Sequence, residues 1–218
     1  MSIIELKDIT KKYKGGKTIF SNYSLKIGEG EFVGIVGESG AGKTTLLNII
    51  GLISNISSGS ITIKKQSNLT PSSKKAMLLR RNTIGYLFQN YGLIDDESVE
   101  WNLNLALEYK KLSRSQRKEK IQTSLTKIGL TDYEKKKIYQ LSGGEQQRVA
   151  IAKLFLQESS IILADEPTSG LDNANKIMVM DLLKELNNKG ITVIMVTHDL
   201  EIAKQCGRII EIADGNII

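Results

Sequence analysis

The sequence is poor in the residues that staple or ligate. Its 218 residues hold one cysteine, Cys206, which excludes an internal disulfide and a cysteine-rich metal site. One histidine, His198, likewise excludes a multi-histidine metal cage. Only two prolines occur, no proline-rich linker separates one part of the chain from another, and no internal repeat is visible. No apolar run approaches the roughly 18 residues that cross a bilayer, and the opening Met1-Ser2-Ile3-Ile4-Glu5 lacks the charged-then-apolar layout of a secretion signal. These absences predict a chain that is cytoplasmic, or that docks on something that is not. What is present is ordinary: 40% hydrophobic and 25% charged residues, at a length ample for a buried core, which argues against disordered, collagen-like and fibrous classes. The formal net charge of +6 suits an anionic partner without separating nucleic acid, a membrane surface and a nucleotide.

Apolar residues recur first in short β-like runs, Ile3 to Ile9, Ile19 to Ile27 and Phe32 to Val36. Helical spacing follows over Lys43 to Leu52, then a strand over Gly59 to Lys64, a Ser/Thr/Lys-rich connector over Ser67 to Lys75, and a strand near Ile84 to Phe88. From Ser98 to Gln157 the apolar residues fall three and four apart among many Lys, Arg, Glu and Gln, which predicts an inserted block of helices. Strands and helices then alternate: Ile161 to Ala164, a helix near Ala174 to Asn188, Ile191 to Val196, a helix after His198, and Arg208 to Ile212. That order predicts an α/β fold with a parallel sheet covered by helices. The chain reads as one domain, its core at about 1–90 and 158–218 and its helical lobe at about 91–157. Basic clusters in the lobe, Lys110-Lys111 with Arg114, Arg117, Lys118 and Lys120, and Lys135 to Lys137, suit a solvated helix face or phospholipid headgroups.

The chemistry concentrates in three places. Gly37-Glu38-Ser39-Gly40-Ala41-Gly42-Lys43-Thr44 fits G-x-x-x-x-G-K-[ST] between a predicted strand and a predicted helix. Glycines let the backbone N–H groups curl inward, and the helix start adds positive potential for phosphate. Gly37, Ser39, Gly40, Ala41, Gly42, Lys43, Thr44 and the following Thr45 are therefore the expected phosphate-binding set, with Lys43 reaching the β- and γ-phosphates and Thr44 binding Mg²⁺. Ser160 to Glu166 is a buried-strand run ending in two carboxylates, whose alternation along the strand gives them different directions. Asp165 is the expected Mg²⁺ residue and Glu166 the base that polarises the attacking water. Leu141-Ser142-Gly143-Gly144-Glu145-Gln146-Gln147-Arg148 opens a helix with a serine, two glycines and a Ser-x-x-Glu capping box. Two phosphate-seeking helix starts in one chain need either one cleft or a second copy of the chain.

With these three motifs in this order, the chain resembles the nucleotide-binding subunit of an ATP-binding cassette (ABC) transporter, and Leu141 to Arg148 is similar to that family's signature. The resemblance implies a P-loop NTPase core with a parallel sheet, a small antiparallel β subdomain and an inserted α-helical lobe. It implies that Tyr13 stacks on adenine, and that Gln89 senses Mg²⁺ and the transmembrane partner. Asp172, in Ser169-Gly170-Leu171-Asp172, would belong to the loop that communicates across a dimer, and His198 would be the switch histidine at the γ-phosphate. Ile84 to Gln89 and Ala164 to Asp172 look most like short subunits paired with lipoprotein-releasing, macrolide-efflux or bacteriocin-export permeases, and Asn90-Tyr91-Gly92-Leu93-Ile94 favours the bacteriocin-export branch. Asp95 stands where a proline is usual and Trp101-Asn102 where Glu-Asn is usual, so the region facing the permease is where this chain departs from its relatives.

The resemblance implies an ATPase that works as a homodimer, with ATP between the phosphate loop of one copy and Ser142-Gly143-Gly144 of the other. Its work would pass to a membrane permease, and the chain would sit on the inner face of the cell membrane. The cargo class expected is a peptide, bacteriocin, antibiotic or lipoprotein. Two other readings stay open: a regulatory clamp that signals through a membrane partner without moving a solute, and a nucleic-acid-linked ATPase. The last fits poorly, because no tandem cassette, coiled-coil arm or zinc-binding insert is visible in the sequence. The only tryptophan, Trp101, reads either as a core anchor packed with Leu105 or as a docking residue for the permease.

Overall fold

In the computed structural model, residues 1–13, 15–16, 18–213 and the backbone of 216–217 are described. The chain first lays down β1 (Ser2–Lys12), β2 (Thr18–Gly28) and β3 (Phe32–Gly37), then α1 (Lys43–Ile50), β4 (Ser58–Ile63), α2 (Lys74–Asn82) and β5 (Ile84–Leu87). A helical stretch follows, α3 (Val99–Asn104), α4 (Arg114–Lys127) and α5 (Gly143–Gln157). The chain then runs through β6 (Ile161–Asp165), α6 (Asn173–Asn188), β7 (Thr192–Val196), α7 (Leu200–Ala203), β8 (Arg208–Ala213) and β9 (Asn216–Ile217). These strands form a three-stranded antiparallel sheet in the order β2-β1-β4 and a six-stranded sheet in the order β5-β6-β7-β3-β8-β9. In the larger sheet every pair is parallel except β8 with β9.

Side-chain alternation divides the interior at the parallel sheet. Ile161, Leu163, Ile194 and Val196 face one hydrophobic cluster, filled by Leu46, Leu47, Ile49 and Ile50 of α1 and by the antiparallel sheet. Ile162, Ala164, Val193 and Met195 face the other, which contains Leu103, Ile121, Leu125 and Val149 from the helical stretch and Val179 and Leu183 from α6. Strands β6 and β7 are buried at every position, which is why they read as unbroken apolar runs and not as alternating ones.

Three features depart from the sequence reading. The Ser/Thr/Lys-rich connector ends in a helix, α2, which Ser73 caps by accepting from the Ala76 amide. Its composition hides it, because only Ala76 and Leu79 are buried. Trp101 is 41% exposed and Leu105 37%, so the packing of this pair inside the lobe does not hold. The face of α3 that enters the core carries Val99, Asn102 and Leu103 instead. The basic run is also partly spent within the lobe: Lys110 and Lys120 both pair with Glu158, and Arg117 donates to the Glu108 and Lys110 carbonyls.

Candidate active site

Three strands end together. Ile35 of β3 lies opposite Val196 of β7, which lies opposite Asp165 of β6, so their carboxyl ends share one sheet edge. This is where ligands bind in open parallel sheets. Main-chain bonds pin the residues just beyond it: the Glu166 amide donates to the Val196 carbonyl at 3.0 Å and the Thr197 amide to the Ile35 carbonyl at 3.1 Å.

The loop after β3 turns through Gly42, whose φ of 100° lies in the left-handed region. A Cβ there would come within 2.6 Å of the Ile19 side chain, so glycine is required on both counts. Gly42 also precedes α1, whose first turn has no acidic residue and no side-chain cap, leaving its N–H groups for an anion. Lys43 folds back over the loop, donating to the Gly37 carbonyl at 2.8 Å and the Glu38 carbonyl at 2.9 Å.

Above the loop opens a cleft of about 300 Å³, whose lining includes Ser39, Gly40, Gly42, Lys43, Thr44, Thr45, Gln89, Glu166 and His198. Asp165 does not line the cleft itself; it lies behind Thr44, 6% exposed, and accepts a hydrogen bond from the Thr44 hydroxyl at 3.1 Å. Burial pushes its carboxyl above the ordinary range, with the Thr44 bond and the Lys43 charge opposing and the Glu166 charge adding to the shift. Glu166 is held at φ 49° and its Oε2 sits 2.7 Å from Nδ1 of His198. A hydroxyl and a buried carboxylate in contact, with the Gln89 amide nearby, are the hard oxygen donors that suit Mg²⁺.

Tyr13 stands beside this cleft, half exposed, its hydroxyl 3.4 Å from the Thr45 hydroxyl and the Lys11 ammonium 4.7 Å from its ring centroid. Ser142, Gly143, Gly144 and Asp172 do not line it. Ser142 caps α5 in a reciprocal box with Glu145, whose carboxylate accepts the Ser142 amide at 2.8 Å and is held below the ordinary carboxylate range chiefly by that bond. Asp172 caps α6, accepting from the Asn175 amide at 2.8 Å and its side-chain nitrogen at 2.9 Å; the backbone bond is the main cause of its lowered pKa. A Cβ on Gly144 would lie 2.6 Å from the Asn175 side chain, and one on Gly143 would lie 3.0 Å from the Tyr91 hydroxyl. The two glycines therefore let the first turn of α6 and the Tyr91 turn approach α5. Sequence reasoning did not assign roles to Tyr91, Gln147 or Lys153, which also tie α5 to surrounding loops: Gln147 donates to the Pro167 carbonyl and Lys153 to the Gly92 carbonyl. The available signal for Lys153 was a lone cation inside the apolar run Ala150 to Leu156.

Residues 20–169 match the family described as ABC transporter. Over 221 aligned residues the chain is 43% identical to the macrolide export ATP-binding/permease protein MacB of Hyphomonas neptunium, covering 99% of this chain and 34% of that protein. It is 41% identical over 219 residues to the Escherichia coli protein of the same name, again covering 99% of this chain and 34% of the relative. The chain thus spans about a third of the length of the curated relatives it matches. Among solved structures, a dimeric ATP-binding cassette in a post-hydrolysis state bound to ADP and Pi superposes with a TM-score of 0.90 at 39% identity, covering 98% of this chain and 96% of that one. On this evidence the chain belongs to the ABC transporter family, as one of its ATP-binding cassette ATPase domains.

Proposed function

We propose that the chain binds ATP at the cleft above Gly37–Thr45, hydrolyses it as a homodimer, and passes the resulting motion to a membrane permease. The observation that carries this reading is a division of labour. Lys43, Thr44, Glu166 and His198 line one cleft, with Asp165 bonded to Thr44 behind it, while Ser142-Gly143-Gly144 lies outside it and so is free to serve the cleft of a second copy. The core at about 1–90 and 158–218 and the lobe at about 91–157 then work as one unit.

In this mechanism the α1 amides and Lys43 hold the phosphates, Lys43 exchanging the Gly37 and Glu38 carbonyls for phosphate oxygens. Thr44, Asp165 and Gln89 would hold Mg²⁺, which when bound supplies charge neutralisation at the phosphates. Glu166 accepts the proton of the attacking water, and His198 fixes the direction of that carboxylate. Tyr13 offers a ring to the adenine, and Asp172 stands at the start of α6 in the loop that would meet the partner copy. Hydrolysis removes the bond between the γ-phosphate and the rest of the nucleotide, and with it the contacts that hold the two copies closed.

The partner is inferred to be a permease of the macrolide-efflux, lipoprotein-release or bacteriocin-export type, carrying a peptide, antibiotic or lipoprotein. No helix among the described residues is long and apolar enough to cross a membrane. In this reading the permease supplies the membrane path, with this unit on its cytoplasmic side. Exposed Trp101 and Leu105, and a neighbouring groove of about 560 Å³ lined by Met77, Leu105 and Tyr109 with Arg80 and Arg81, supply an apolar surface with a basic rim for a permease helix. The deciding experiment measures phosphate release from Mg²⁺–ATP by the purified chain and its mass by size exclusion with and without ATP. Absence of both turnover and ATP-dependent dimerisation, in isolation and with co-purified membrane partner, would sink the proposal.

A further inference from the structure

Gln89 reaches the cleft from a turn that is closed against its own stem. The Tyr91 amide donates to the Phe88 carbonyl at 2.9 Å and the Gly92 amide to the Asn90 carbonyl at 2.7 Å. Tyr91 and Gly92 are both left-handed, at φ 64° and 62°, and a Cβ on Gly92 would lie 2.8 Å from the Phe88 ring. That ring in turn stacks on Tyr86 of β5 with centroids 4.1 Å apart. A turn so tightly folded moves as one piece, Gln89 together with Tyr91 and Gly92.

The turn touches α5 twice. The Tyr91 hydroxyl packs on Gly143, 3.0 Å from where a Cβ would stand, and the Lys153 ammonium donates to the Gly92 carbonyl at 3.2 Å. Gly143 and Lys153 are separated by about 15 Å along the helix at a rise of roughly 1.5 Å per residue. Side chains on a helix lean toward its N-terminus, so Lys153 reaches back to the turn that Tyr91 leaves in the other direction. A single contact would let α5 pivot on it; two contacts this far apart fix its direction. Lys153 is half-buried in the run Ala150 to Leu156, with no carboxylate within 4.0 Å and the Gly92 carbonyl as its one hydrogen-bond partner among the described residues. Burial without a counter-charge lowers its pKa and costs stability, so what the ammonium contributes here is position.

We propose that Lys153 and Tyr91 are positioning residues that lock the Gln89 turn to the signature helix, so that displacement of Gln89 in one cleft swings Ser142-Gly143-Gly144 with respect to the cleft of the second copy. This rests on the dimeric ATPase reading above. It adds the two side chains that hold the Gln89 turn to α5 in this chain, and that the Lys153 link can be cut without touching a residue of either site.

The test uses the whole chain carrying Lys153→Met, which keeps length and removes the charge, with Lys153→Arg as the conservative control. In the ligand-free protein, hydrogen exchange at residues 90–93 and 143–146 should quicken severalfold in Lys153→Met and not in Lys153→Arg, while β6 and β7 exchange as in the wild type. ATP affinity of the monomer should stay within about twofold, turnover should fall about tenfold, and Arg should restore most of it. Unchanged exchange at both segments would overturn the linkage. So would a fall in melting temperature with affinity and turnover declining together and no rescue by Arg, which would make Lys153 a packing residue. Should Lys153→Met fail to fold, Tyr91→Ala carries the same expectations and the same refutation. A wild type without ATPase activity would strike the earlier reading alone, because exchange in the ligand-free chain still decides this one.

Discussion

Nδ1 of His198 and Oε2 of Glu166 lie 2.7 Å apart, although the two residues leave different strands. The contact exists because each is pinned by the backbone of its neighbour: the Glu166 amide bonds to Val196, and the Thr197 amide just before His198 bonds to Ile35. Glu166→Gln keeps the side chain's shape and removes its capacity to take a proton. ATP binding should persist, turnover should fall about 10²-fold or more, and a dimer should accumulate with ATP on size exclusion. Near-normal turnover would remove Glu166 as the base.

Lys43→Ala should abolish ATP binding. Among the described residues lining the cleft, Lys43 is the only lysine or arginine, and in the ligand-free chain its two bonds to Gly37 and Glu38 also hold the loop. Titration with a fluorescent ATP analogue measures this directly, and an unchanged affinity would place the nucleotide elsewhere.

Ser142→Arg should leave ATP binding to the monomer intact, since Ser142 lies outside its own cleft. In a mixed dimer with Lys43→Ala, one composite site carries both lesions and the other neither, so activity should survive at about half the wild-type level if each site fires alone. Complete inactivity would mean that the two sites must act together or that they are not shared between copies.

The Asp165 carboxyl is raised by burial, so the folded chain keeps this proton to a higher pH than the unfolded chain does. From the ordinary value of 3.8 up to the raised one, folding stability falls as pH rises, and above that the full cost of the buried charge remains. Asp165→Asn removes the cost. The ligand-free melting temperature at pH 7 should rise, by about 2–4 °C for each kcal/mol recovered in a domain of this size, and Mg²⁺-dependent ATP binding should weaken. Melting curves at several pH values check the sign: the gap between variant and wild type should widen between pH 4 and 7.

Trp101→Ala should leave the melting temperature and the isolated ATPase activity nearly unchanged, because the ring is 41% exposed and lies outside the cleft. Stimulation of that activity by the co-purified permease should be lost. A large drop in melting temperature with coupling intact would return Trp101 to a structural role.

Much of the fold and site could be read from the sequence because its signals are local. The phosphate loop, the run ending in Asp165-Glu166 and the Ser142–Glu145 box each carry their geometry within eight residues. Unbroken apolar runs located β6 and β7 for the same reason. Helix α2 escaped notice because a helix that buries two side chains leaves almost no periodicity, and its one clear signal was the cap at Ser73. The exposure of Trp101 was hidden because spacing to Leu105 gives a shared helix face without saying which face the core covers. The roles of Tyr91 and Lys153 depend on a turn and a helix brought together only by the fold, so no local pattern carries them.

The strand that delivers the phosphate loop has only distant neighbours. Phe32 of β3 pairs with Val193, 161 positions on, and Val33 with Arg208, 175 positions on. At roughly 5–20 residues per second, a ribosome takes on the order of ten seconds to supply those partners after β3 has been made. Until then the glycine-rich loop has no sheet edge to stand on, and Glu166 and His198 have no frame that brings them together. The cleft is therefore complete only once β7 has been made: a chain that stopped before β7 would carry the phosphate-loop sequence without His198 and without the Val196 carbonyl that holds Glu166.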